Sequence, residues 1–159
     1  MEINILAVGK LKEPYLREGI EEFVKRLQAY TRVNIIELVD EKIPSNPAKA
    51  EKEGIKQREG VKILESLSER AYVIALDVKG KPMTSEGLAK SIKNLQIRGY
   101  SSITFIIGGA LGLSKEVLEK ADFRLSFSPM TFTHQMVRLI LVEQVYRAFK
   151  IMRGEPYHL

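Results

Sequence analysis

The sequence predicts an α/β fold: a mainly parallel sheet with helices on both faces, in a single domain spanning residues 1–159. Three observations predict it. Short β-branched runs alternate with longer stretches of helical period along the whole chain. The runs are apolar nearly throughout, as strands covered on both faces are, rather than alternating apolar with polar. The length of 159 residues suits one domain and can bury a sizeable core.

The elements follow in order. Residues 3–8 (INILAV) read as a strand. Residues 14–30 read as a helix, with Pro14 in its first turn and Leu16, Ile20, Phe23, Val24 and Leu27 at helical spacing. Residues 33–39 (VNIIELV) form a second strand, and Pro44-Ser45-Asn46-Pro47 breaks the chain. Residues 48–68 are charged and helical, with Gly54 and Gly60 inside, which predicts fraying or a break. Residues 71–77 (AYVIALD) are the third strand. Thr84 or Ser85 caps the helix that runs to Ile97 and stops at Gly99. Residues 102–107 are the fourth strand, Ser114 caps a short helix through Ala121, and residues 123–127 (FRLSF) are the fifth strand. Residues 134–153 make a long last helix that ends at Gly154. No repeat, linker or low-complexity segment interrupts this order.

Composition narrows the function classes. Cysteine is absent, which excludes disulfides and thiolate metal sites, and the two histidines, His134 and His158, do not suggest a metal centre. The start lacks a basic leader and no apolar run reaches membrane-spanning length, so a cytoplasmic protein without a membrane partner is expected. Lysine and arginine number 25 against 20 acidic residues, a formal charge of +5. That hints at a polyanionic partner, with plain solubility as the bland alternative.

Three successive strands end in unusual text. The third ends in Leu76-Asp77-Val78-Lys79-Gly80, the fourth in Gly108-Gly109-Ala110-Leu111-Gly112, and the fifth in Phe127-Ser128-Pro129-Met130-Thr131-Phe132. In parallel sheets ligands bind beyond the carboxyl ends of the strands, so neighbouring strands would place these loops on one rim. Glycines admit a close backbone approach, and Met130 and Phe132 beside backbone amides suit a flat, partly apolar ligand. G-G-x-x-G is neither a P-loop nor G-x-G-x-x-G, and it follows the fourth strand. A nucleoside cofactor without a pyrophosphate therefore fits best, and S-adenosyl-L-methionine is the candidate.

The last helix carries His134 and Arg138 on one side, and Glu143, Arg147 and Lys150 nearly opposite. Apolar residues fill both sectors between, so both flanks should be buried, one on the sheet and one on a twin helix or another helix of the chain. His134 and Arg138 directly follow the fifth-strand loop and are expected to face the rim. A lone histidine is more often structural than catalytic; the arginine at i+4 and the adjacent loop bring the functional reading level with the structural one here.

Taken together, Leu76-Asp77 with Gly80, Ile107-Gly108-Gly109 with Gly112-Leu113, His134 with Val137-Arg138, Glu143 with Tyr146-Arg147-Ala148, and the terminal Pro156-Tyr157-His158 resemble the ribosomal RNA large subunit methyltransferase H family. The resemblance covers the whole chain. It implies a SPOUT-type fold with a C-terminal trefoil knot, and a homodimer. It implies methylation of N3 of a pseudouridine in large-subunit (23S) ribosomal RNA. It also implies that Leu76, Gly108 and the segment Phe127, Ser128, Pro129, Met130, Thr131 and Phe132 bind S-adenosyl-L-methionine. The family commonly has prolines on both sides of the histidine, where this chain has Thr133 and Gln135.

For such a reaction the protein must align nucleophile, methyl and sulfur, and stabilise the imide anion that forms as N3 loses its proton. Arg138 is expected to supply the cation, and His134 or His158 the base or positioning group. Tyr157 is expected to stack on or hydrogen-bond to the base. No RNA-binding signature accompanies the domain, so an assembled ribosome or subunit is the expected substrate. The competing reading is a catalytically silent, ribosome-associated binding module. Residues 155–159 are expected to leave the body of the fold as an extended strip.

Overall fold

The computed structural model describes residues 1–159. Five strands, β1 (Glu2–Val8), β2 (Arg32–Leu38), β3 (Tyr72–Pro82), β4 (Ser102–Ile107) and β5 (Phe123–Ser126), form one sheet in the order β2-β1-β4-β3-β5. Every pairing is parallel. Parallel neighbours need crossovers, which the helices supply: α1 (Pro14–Leu27), α2 (Lys49–Glu65), α3 (Ser85–Ile97), α4 (Lys115–Lys120) and α5 (His134–Arg153).

Side-chain alternation along the strands separates two cores. Ile3, Ile5 and Ala7 of β1 and Ile103, Phe105 and Ile107 of β4 face α1, α3 and α5. Leu6, Val8 and Ile106 point the other way, onto Ile63 of α2 and Val117 of α4. Helices thus cover both faces, as the apolar strands require. After β5, at the sheet edge, the chain returns so that α5 packs on both α1 and α3. That course is compatible with the C-terminal knot the resemblance implies.

The helix boundaries have local causes. The hydroxyls of Thr84, Ser114 and Thr133 accept from the backbone N–H groups of Gly87, Val117 and Met136, capping α3, α4 and α5. Gly154, at φ +65°, closes α5 in the left-handed conformation that glycine adopts without strain.

Several expectations need correction. α2 runs unbroken through Gly54 and Gly60. Gly60 is the contact point with α4: a Cβ there would collide with the Ser114 hydroxyl, so close helix packing offsets its weak propensity. β3 continues past Asp77, because residues 77–80 bulge while Leu76 and Lys81 both pair with Leu125. A Cβ on Gly80 would lie 2.7 Å from the Arg124 carbonyl oxygen.

The two apolar flanks of α5 merge into one inward face. Leu141, Val142, Val145, Ala148 and Phe149 are all buried by the sheet, α1 and α3 of the same chain. No twin helix is needed to cover them. Away from that face Met136, Ile140 and Ile151 are half-buried, and Met136 and Ile151 still touch the core at their edges. The tail does not leave the body either. Tyr30 and Lys150 both donate to Glu155, at 2.6 and 2.7 Å, and the Tyr157 ring packs edge-on against Tyr146 at 4.8 Å.

Candidate cofactor cavity and active site

In the order β4-β3-β5 the three special loops are neighbours, and they share one rim. They enclose a cavity of about 830 Å³, within the size range of small-molecule sites. Leu76, Asp77 and Val78 form one wall and residues 107–113 another. Phe127, Ser128, Met130, Thr131 and Phe132 form a third, and the start of α5 closes the floor with His134 and Val137. Glu13, Tyr15 and Leu16, at the head of α1, complete the mouth. Of the expected cofactor residues, only Pro129 does not line this space.

The loops are internally fixed. The Gly112 N–H donates to the Gly109 carbonyl at 3.1 Å, closing a tight turn with Gly112 at φ +89°. A Cβ on Gly108 would sit 2.9 Å from the Gly112 carbonyl carbon. The bareness of Gly108 is therefore demanded first by its own turn. In the third wall, the Ser128 hydroxyl accepts from Met130 N–H at 2.9 Å, and the Ser126 hydroxyl donates toward the Val78 carbonyl at 3.0 Å. The latter bond joins the β5 loop to the β3 bulge.

His134 is half-buried, with Nε2 against Gly9 and near Asp40. Burial, the Arg138 charge and, more weakly, Lys12 push its pKa below the ordinary value of 6.5, while Asp40 opposes them. The imidazole is accordingly neutral at physiological pH and able to accept a proton.

Arg138 does not face the cavity. Its side chain is 1% exposed, and Nη1 donates to Glu37 at 2.6 Å. Nη2 donates to the carbonyl of Gly9, and Nε has no partner. Glu37 also accepts from Leu11 N–H at 2.8 Å. Burial raises the Glu37 pKa, but the Leu11 amide and Arg138 outweigh it and the net shift is downward. The guanidinium is thus a strut beneath residues 9–11, not a cation offered to a ligand. The side-chain carbonyl of Gln135 accepts from Lys12 N–H at 3.1 Å. With Thr133 as the α5 cap, the two residues that stand in place of the family's prolines both tie down the start of this helix.

Tyr157 and His158 are brought together, but elsewhere. Glu143 accepts from Tyr157 at 3.0 Å and from Arg147 at 2.6 Å. Arg147 also donates to His158 Nδ1 at 3.1 Å, which leaves the His158 proton on Nε2, donating to Glu86 at 2.7 Å. Burial and the Glu143 carboxylate raise the Tyr157 pKa, keeping the phenol protonated. Glu143 lies nine residues along α5 from His134, about 14 Å at 1.5 Å per residue. One chain therefore holds two separated groups of candidate residues.

Sequence reasoning missed Gly9, Glu37 and Glu59. Glu59 of α2 is buried behind Gly109, whose Cβ would lie 3.2 Å from its carboxylate, and it accepts from Glu41 N–H at 3.0 Å. Burial, with Asp40 and Glu41 nearby, raises its pKa. A glycine ending β1 was a signal available for the first of these; Glu37 is the lone charge in the apolar run 33–39, which also marks it, whereas Glu59 sits in strongly charged text that looks like solvated surface.

The chain has close relatives throughout its length. The family model described as "Predicted SPOUT methyltransferase" matches residues 1–158. A protein of Halothermothrix orenii named "Ribosomal RNA large subunit methyltransferase H" is 66% identical over 158 residues, covering 99% of both chains. Proteins of the same name from Clostridioides difficile and Carboxydothermus hydrogenoformans are 59% and 57% identical with the same coverage.

Proposed function

This chain belongs to the SPOUT methyltransferase family, and from that premise we propose that it transfers a methyl group from S-adenosyl-L-methionine to N3 of a pseudouridine in large-subunit ribosomal RNA. The observation that carries the reading is the cavity at the β3, β4 and β5 rim, with backbone and apolar walls, no phosphate cradle, and a neutral histidine at its floor. The walls fit the cofactor. The glycine turn offers a flat backbone surface for the adenosine, and Leu76, Phe127 and Met130 offer apolar contact to its ring and to the methylene groups of its methionine arm.

When bound, S-adenosyl-L-methionine supplies an electrophilic methyl group on a sulfonium. The rest of the work falls to the chain. The fixed loops hold donor and acceptor in line, the orientation contribution. His134, neutral and half-buried, accepts the N3 imide proton or orients the imide. Arg138 acts from below, holding residues 9–11 and the start of α5 in register.

Tyr157 and His158 enter through a homodimer in this reading. They cannot reach the cavity of their own chain, whereas a second copy on the outward side of α5 would bring its tail toward it. The partly exposed sides of Met136, Ile140 and Ile151 are the apolar surface available for that contact. The substrate is the assembled large subunit in the cytoplasm, because a domain this small gains specificity from a preassembled surface. The test is methyl transfer to purified large subunits, with bare ribosomal RNA as comparison and calorimetry for cofactor binding. Cofactor binding without transfer to any ribosomal substrate would leave the silent ribosome-associated module as the function.

A further inference from the structure

We propose that the connection between β1 and α1 together with the first turn of α1, carrying Lys10, Lys12 and Tyr15, is the RNA-docking edge of the cavity, with Tyr15 stacking on a base beside the target and the two lysines on flanking phosphates. The inference rests on the reading of the chain as an RNA methyltransferase and names the surface that reading lacks.

Four ties hold this connection. The Gly9 carbonyl accepts from Arg138, Leu11 N–H donates to Glu37, the Leu11 carbonyl accepts from Arg17 at 2.8 Å, and Lys12 N–H donates to Gln135. The backbone is therefore fixed, while the side chains of Lys10, Lys12 and Tyr15 are exposed. Tyr15 is 62% exposed on the mouth of the cavity, and its hydroxyl makes no hydrogen bond. A large aromatic left in solvent on a rigid segment contributes nothing to the core. It offers a stacking face at little entropic cost, and every base has a complementary one.

Charge points the same way. Neither Lys10 nor Lys12 takes part in an ion pair, and Glu37, which accepts from the neighbouring Leu11 N–H, is already paired with Arg138. Lys12 lies close enough to the floor for its charge to act on His134. Glu13 is the acidic residue of this segment and lies on the mouth. It is outnumbered by Lys10, Lys12 and Arg17. Past the Leu76–Val78 wall, Lys79 in the β3 bulge and Lys81 just after it are likewise exposed and unpaired. A strand of RNA laid over this edge meets the two lysines and an aromatic at the mouth. That is the pattern of single-strand binding grooves, in which aromatics stack bases and cations follow the backbone.

The experiment compares wild type, Tyr15→Ala and Lys10→Gln/Lys12→Gln on purified large ribosomal subunits, reading subunit affinity against salt, KM and kcat, cofactor affinity and sedimentation. Tyr15→Ala is expected to weaken subunit affinity about tenfold with the salt dependence unchanged. The double lysine variant is expected to lower the log–log salt slope by about 0.7 for each lost phosphate contact. In both, cofactor affinity and the dimer persist. Unchanged subunit affinity and slope would overturn the proposal. So would dissociation of the dimer, which would make this edge a contact between copies, or loss of cofactor affinity, which would make it cofactor wall. A wild-type enzyme that methylates no ribosomal substrate would instead remove the underlying reading.

Discussion

Arg138 and Glu37 are joined at 2.6 Å, across 101 positions of sequence, with the guanidinium fully buried and the carboxylate at the surface. The pair locks the start of α5 to the ends of β1 and β2, and hence His134 to the cavity floor. Removing the buried guanidinium leaves a hole and takes the donor from both the Gly9 carbonyl and the Glu37 carboxylate. Arg138→Ala should therefore destabilise the fold by about 3 kcal/mol, seen as a lowered denaturant midpoint. Glu37→Gln, with its side chain partly in solvent, should cost clearly less. If Arg138 instead met the substrate directly, Arg138→Ala would keep wild-type stability and lose only turnover.

The same carboxylate predicts acid sensitivity. Glu37 has a folded pKa below the ordinary 4.5, so the native state holds fewer protons than the unfolded chain near that pH. Its stabilisation is present above pH 4.5 and is lost as pH falls through the folded value. The drop in stability below pH 4.5 should be shallower in Glu37→Gln than in wild type, measured by denaturant unfolding across that range.

His134 predicts the acid limb of catalysis. Its pKa is below 6.5, and the neutral form is the active one, so the acid limb of kcat/KM should have its midpoint below pH 6.5. Lys12→Gln removes a repelling cation, raises the His134 pKa and moves the limb upward; Asp40→Asn removes an attracting carboxylate and moves it down. A limb unmoved by both would take His134 out of the proton path.

The glycine turn separates two effects. Gly108→Val places a branched side chain against the Gly112 backbone. It should abolish cofactor binding and also lower stability, because the turn must distort. Gly112 has open space around its Cα but φ +89°, so Gly112→Ala should cost about 1 kcal/mol through backbone strain alone. Leu141 is 0% exposed within one chain, so Leu141→Glu should unfold the monomer rather than part the dimer, as circular dichroism would show.

The layer architecture was legible because it depends on local text: apolar strands, helical periods, caps at Thr84 and Ser114, a stop at Gly154. So was the cavity, because strand order places the loops after β3, β4 and β5 side by side. What sequence hid was direction. Arg138 stands one turn from His134, but a turn of helix carried its side chain under β1 to meet Glu37, a partner from a distant strand. Residues 155–159 have no periodic signal; they fold back on α5 through Glu143, Tyr146, Arg147 and Lys150 of the preceding helix and through Tyr30 and Glu86, which are far away in sequence. Gly60 looked like a helix breaker because its partner, Ser114, is 54 positions later.

The most direct test of the central claim is mass spectrometry of nucleosides from large subunits incubated with S-adenosyl-L-methionine and either wild type or the chain truncated after Gly154. Wild type should yield one pseudouridine heavier by a methyl group at N3, on assembled subunits and not on bare RNA. The truncated enzyme should retain cofactor affinity yet transfer at least about a hundredfold more slowly. A folded, cofactor-binding wild-type enzyme that leaves every pseudouridine unmethylated, or a truncated one with full activity, would contradict the account.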